Sequence, residues 1–143
     1  MYFNGVVLPN VMSLKIGDIA PDFKLKNANK KVGDRTVSIN DSVLANGLVV
    51  VFECNHCPYV VASIERMNSL ADYCKLNKIG FVGINSNDAS VYPTDSFEHM
   101  EKRAEKGMPY SYLFDETQEI AKAYAAQRTP EFVLFDSKMC LVY

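Results

Sequence analysis

Apolar and polar positions along this chain fall into short, regular runs that can be assigned one at a time. Ala20 to Lys26 (APDFKLK) alternates, with Phe23 and Leu25 on one side, which predicts a half-buried strand. Asn27 to Arg35 is polar and carries Gly33, as suits a turn before a short strand at Thr36 to Asn40. Leu48 to Phe52 (LVVVF) is apolar at every position, the pattern of a central strand covered on both faces. A helix follows from Pro58, which fits a first turn because its missing N–H costs nothing there. Val60, Ile64, Met67, Ala71 and Cys74 recur at three- and four-residue steps and form its apolar stripe. Gly80 to Ser86 predicts the next strand. Asp95 to Lys106 predicts a helix with Phe97, Met100 and Ala104 inward, its charged residues forming a solvated face and Gly107 at C′. Asp115 to Ala126 predicts another, with Asp115 and Gln118 at capping-box spacing and Ile120 and Tyr124 buried. Glu131 to Asp136 and Cys140 to Tyr143 read as two antiparallel strands joined by a short turn.

This order predicts one α/β domain over residues 1–143, a central mixed sheet with helices on both faces. No repeat or Pro/Gly-rich linker divides it. The chain stops at Tyr143 inside an expected strand, so no closing C-terminal helix is expected, and the open sheet edge makes a homodimer plausible.

Composition narrows the function. Of 143 residues, 48% are hydrophobic and 22% charged, as in a globular chain rather than a disordered one. A net charge of −2 gives no reason to expect nucleic acid or an anionic membrane as partner. No run approaches the roughly 20 apolar residues that span a bilayer. Met1 to Met12 has no Lys or Arg, and Asn4, Pro9 and Asn10 interrupt any apolar stretch. A secretory signal is therefore not expected, and the cytoplasm is the expected location.

The four cysteines then carry the chemistry. Cys54 and Cys57 form a close pair, while Cys74 and Cys140 stand singly. In a reducing compartment a lone Cys-x-x-Cys is redox or metal chemistry, not a structural bridge. A buried strand running into Cys54-Asn55-His56-Cys57-Pro58 places the pair at a helix N-terminus, whose free N–H groups stabilise an anion. Cys54 is thus expected to have a lowered pKa and to attack a substrate disulfide. Cys57, expected to be the more buried, would resolve the mixed disulfide. His56 beside them could stabilise the Cys54 thiolate, giving an expected potential less negative than the ~−270 mV of thioredoxin. The partners implied are a protein or small-molecule disulfide and a thiol electron donor. Two thiols need no cofactor and no metal.

Ala20-Pro21-Asp22-Phe23, Val49 to Pro58 (VVVFECNHCP), Asp115-Glu116 and Arg128-Thr129-Pro130-Glu131-Phe132 together resemble the redoxin group of the AhpC/TSA superfamily. That group includes ResA-type thiol–disulfide oxidoreductases and peroxiredoxins. The resemblance runs from about Gly17 to Tyr143. It implies a thioredoxin-like fold with an N-terminal strand extension and a cis peptide at Thr129–Pro130. In the family that loop packs beside the cysteines and helps hold the substrate backbone, which makes Thr129 and Pro130 substrate-binding candidates, with Asn55 and Tyr59 beside the pair. Thioredoxins have Trp before the first cysteine; here Glu53 stands there, as a proton relay or as a solvent-facing residue.

Two rivals follow from the same residues. Peroxiredoxins use Thr-x-x-Cys-Pro, and Cys57-Pro58 matches its second half, which allows an antioxidant peroxidase. Cys54, however, occupies the threonine's place, so disulfide exchange is the better reading. A metal-binding module could draw on Cys54, His56 and Cys57, but no second ligand pair exists. Cys74 reads as core, Cys140 as a small strand residue, and His99 as solvent-facing.

Overall fold

The computed structural model describes residues 14–143. The reading of Met1 to Met12 lies outside them. The elements run β1 (Lys24–Asn27), β2 (Thr36–Ser38), α1 (Ile39–Ser42), β3 (Gly47–Phe52), α2 (Pro58–Leu76) and β4 (Ile79–Asn85). After a 3-10 turn at Pro93–Asp95 come α3 (Phe97–Glu105), β5 (Ser111–Phe114), α4 (Glu119–Ala123) and β6 (Glu131–Phe135). They build one six-stranded sheet in the order β2-β1-β5-β4-β3-β6. β3, β4 and β5 are mutually parallel, while β6 pairs antiparallel with β3, and β1 antiparallel with both β5 and β2. The sheet is mixed, as expected, and the β1–β2 pair is the N-terminal extension.

β3 owes its central place to its composition. All six residues are buried, so both faces must be covered. Strand alternation sends Leu48, Val50 and Phe52 into one apolar cluster with Tyr124 and Phe135, beneath α4 and α1. It sends Val49 and Val51 into the other, with Val60, Met67, Ala71 and Cys74 of α2 and Met100 and Ala104 of α3. The stripe expected on α2 is the one it buries, apart from the half-buried Ile64.

Several expected elements are shorter, and each has a local cause. The run from Ala20 becomes strand only at Lys24, Ala20 being tied instead to Met139. The strand expected over Thr36 to Asn40 stops at Ser38, which caps α1 reciprocally with Asp41; its hydroxyl accepts from the Asp41 N–H at 3.2 Å. The helix expected from Asp95 begins after Ser96, whose hydroxyl accepts from His99 N–H, leaving Asp95 in the preceding turn. The helix expected over Asp115 to Ala126 is only Glu119–Ala123. Asp115 accepts from Ile120 and Ala121 N–H, while Gln118 takes a left-handed φ of 60°. Cys140 to Tyr143 returns along β6 through isolated bridges and backbone bonds rather than a full strand. β5 was not anticipated at all.

Candidate active site

β3 delivers its last side chain, Phe52, to one face, so the next residue, Glu53, turns to the other. Four residues then lead into α2, with Cys57 as its N-cap residue and Pro58 at its first position. This turn puts the Cys57 backbone N–H 3.2 Å from the Cys54 sulfur, to which it donates. Thr129, just ahead of the edge strand β6, closes the pair. Its hydroxyl lies 3.5 Å from Cys54 Sγ, and its carbonyl accepts from the Cys57 thiol at 3.5 Å. The peptide between Thr129 and Pro130 is cis, as the family resemblance implied. Two thiols, a helix-terminal N–H and one loop residue thus form a single cluster.

The cysteines are not graded in exposure as expected, being 0% and 1% exposed. The lowered pKa expected for Cys54 is also corrected. Burial pushes its thiol up to about 12, helped by the negative charge of Asp95 and opposed by the Thr129 and Cys57 hydrogen bonds. One helix-terminal N–H does not offset the loss of water around a buried anion.

Glu53 is fully buried. Its Oε1 lies 2.5 Å from Arg103 Nη1 of α3, and its Oε2 accepts from the Tyr110 hydroxyl at 2.8 Å. Burial pushes its carboxyl up, while Arg103 and Tyr110 oppose the shift. Arg103 also donates to the Cys54 carbonyl at 3.5 Å and lies over the Tyr112 ring, 4.9 Å from its centroid. The solvent-facing alternative for Glu53 is therefore excluded, and Arg103 does not belong to a solvated face of α3, its side chain being only 11% exposed. Gly83, the partner of Val51 on β4, makes room for this pair. A Cβ there would meet Glu53 Oε2 and would come within 2.9 Å of the Tyr110 ring.

On the other side of Cys54 stands Asp95, also 0% exposed. Its Oδ1 accepts from Asn55 N–H at 2.5 Å and Asn85 Nδ2 at 3.2 Å. Its Oδ2 accepts from Asn87 Nδ2 at 3.1 Å and from His56 Nδ1. The His56 ring stacks on Tyr92, with centroids 4.4 Å apart and planes 11° from parallel. Asn55 is held on three sides: its side chain accepts from the Tyr112 hydroxyl at 2.8 Å and donates to Thr94 O at 2.9 Å. Cys54, His56 and Asp95 bring a sulfur, a ring nitrogen and a carboxylate oxygen within 4.8 Å of one another. Such a trio can ligate a metal in principle. Here the four acceptor directions of the Asp95 carboxylate are taken by four N–H donors, so a cation would have to displace one of them.

The other sequence candidates separate cleanly. Tyr59 is 76% exposed on the first turn of α2. Cys74 is core, and burial pushes its thiol up; Cys140 is half-buried and His99 exposed. Among the described residues a cavity of about 440 Å³, lined by none of these, lies between α1, the end of α2 and the 32–34 loop. Asp95 and Arg103 were missed as site residues. A cue existed for Arg103, which sits three residues beyond Met100 beside the apolar stripe, where an arginine needs a buried partner such as Glu53. Asp95 had a weaker cue, as the residue ahead of a capping serine.

A model of the AhpC/TSA family matches residues 16–143. None of the curated protein sequences matches. Among solved structures, an uncharacterized conserved protein from Geobacillus kaustophilus is 43% identical with a TM-score of 0.86, over 91% of this chain and 68% of that one. A hypothetical protein from Sinorhizobium meliloti is 34% identical with a TM-score of 0.84, over 92% and 70%. The thioredoxin domain of a thiol-disulfide oxidoreductase from Bacteroides vulgatus shares the fold at 19% identity, with a TM-score of 0.69 over 91% and 87%. The fold is thus thioredoxin-like α/β.

Proposed function

The chain belongs to the AhpC/TSA family, and on that premise we propose that it is a thiol–disulfide oxidoreductase in which Cys54 attacks and Cys57 resolves. The observation that carries this reading is the shared environment of the two sulfurs. The Cys57 N–H points at Cys54 Sγ, and Thr129 touches both thiols from the cis-proline loop. Cys54 is the attacker because it lies ahead of α2 and receives the donors that a thiolate needs. Cys57, as the N-cap residue, is one short turn away and reaches back to it.

In the reducing direction the Cys54 thiolate attacks one sulfur of R–S–S–R′. A Cys54–S–S–R bond forms as the S–S bond breaks, and R′S⁻ leaves and takes a proton. The Cys57 thiolate then attacks Cys54 Sγ, releasing RSH and leaving a Cys54–Cys57 disulfide. A thiol donor outside this chain restores both thiols by the same steps in reverse. Raised as it is, the Cys54 pKa favours this reductive direction, because it withholds the thiolate stabilisation that makes an oxidant. A thiol-rich compartment such as the cytoplasm would supply the donor.

A coupled assay separates this reading from a peroxidase. With dithiothreitol as donor, reduction of insulin disulfides should fall by at least 10²-fold in both Cys54→Ser and Cys57→Ser. Consumption of hydrogen peroxide that outruns disulfide reduction and survives in Cys54→Ser would overturn it in favour of a Cys57 peroxidase.

A further inference from the structure

The geometry points to Asp95 as a positioning residue that holds His56 by Nδ1, so that Nε2 can carry protons to and from the Cys54 sulfur. This rests on the exchange reading above and extends it to how a buried thiol loses its proton.

Asp95 is a fixed acceptor. Four N–H groups converge on it from three segments: Asn55 and His56 before α2, Asn85 at the end of β4, and Asn87 just beyond. The orientation of Asn85 is itself set, because its Oδ1 accepts from Asn87 N–H at 3.0 Å and leaves Nδ2 facing the carboxylate. A carboxylate only accepts, so the His56 nitrogen that contacts it is the one that donates, which leaves Nε2 as the ring atom free to exchange a proton. Stacking on Tyr92 restrains the ring plane. Among the described residues no group bonds Nε2, although the atom is buried. One ring nitrogen of His56 lies within 4.8 Å of both Cys54 Sγ and an Asp95 oxygen, which sets the ring beside the sulfur it is inferred to serve.

The proton path balances. Nε2 accepts the Cys54 proton as the sulfur attacks and gives it to the departing R′S⁻, so the imidazole ends as it began. The other titratable groups around the cluster are Cys57 from α2, Tyr92 before the 3-10 turn, Tyr112 from β5, and the Glu53–Arg103 pair. None of these presents a lone-pair nitrogen.

The test is the rate of Cys54 alkylation by iodoacetamide in the reduced full chain from pH 5 to 9, read by peptide mass. His56→Gln should slow it about 10-fold at pH 7 and remove one limb of the wild-type profile. Asp95→Asn should remove the same limb with a similar loss, and the double variant should be no slower than either single. Charge repulsion alone predicts the opposite, faster alkylation in Asp95→Asn, and that result overturns the proposal. An equal slowing by Asp95→Asn with and without His56 also overturns it. Should Asp95→Asn fail to fold, Tyr92→Leu, which keeps the hydrogen bonds but frees the ring, should weaken the same limb; an unchanged profile overturns. Full exchange activity in Cys54→Ser would instead sink the exchange reading itself, and is measured separately.

Discussion

For the exchange proposed above Cys54 must become an anion, yet its side chain is buried. That conflict has a thermodynamic signature. A thiol whose folded pKa is about 12 keeps its proton after the unfolded chain, near 9.0, has released it. Its contribution to stability is therefore complete below pH 9.0 and is lost as pH rises toward 12. In urea unfolding of the reduced protein, stability should fall across that interval more steeply than in Cys54→Ser, by up to about 1.4 kcal/mol per pH unit. Parallel slopes would contradict it. Beside Cys54, Arg103→Met should cost about 3–5 kcal/mol by stranding Glu53, and adding Glu53→Gln should recover part of the loss. A loss below about 1 kcal/mol would mean that the pair behaves as an exposed one. The sequence made Cys54, Cys57, His56 and Glu53 legible because they are contiguous and end a buried strand. Asp95 and Arg103 were not, because the motif residues they hold, Asn55 and Glu53, lie 40 and 50 positions away and no local period records such a meeting.

At the scale of elements, legibility followed length. β3 and α2 were readable because each repeats its pattern long enough to exclude the alternative, LVVVF in one and five stripe positions in the other. β5 has four residues and pairs on both sides only through β4 and β1. Nothing in Ser111 to Phe114 alone distinguishes it from a loop leading to a helix. The end of β2 and the start of α3 were misplaced because Ser38 and Ser96 act as caps, a choice that hydrophobic period does not see. The β4 backbone is a further element-level constraint. Gly83→Ala would press on the Tyr110 ring and the Glu53 carboxylate from behind. It should destabilise the protein by about 1–3 kcal/mol in thermal or urea melts. An unchanged melting temperature would show that the pair can shift aside without cost.

For the whole molecule, the alternation of β3 determines the plan: one face supplies a plain apolar core, and the other carries Glu53, the cysteines and the helices that hold them. The expectation of a mixed sheet with helices on both faces came from element order and was met. The expectation of an oxidising potential came from His56 alone, whereas the burial that pushes the Cys54 thiol up argues for the reducing direction. Equilibration with dithiothreitol or glutathione should give a potential at or below about −270 mV, and a value near −180 mV would contradict this account. The central claim, that Cys54 attacks and Cys57 resolves, meets its most direct test in trapping. Reduced Cys57→Ser is mixed with an aromatic disulfide and its cysteine peptides are weighed. The account predicts a stable mixed disulfide on Cys54 that does not resolve, and no such adduct on Cys57 in Cys54→Ser. A stable adduct on Cys57 in Cys54→Ser, with none on Cys54 in Cys57→Ser, would reverse the roles and contradict it.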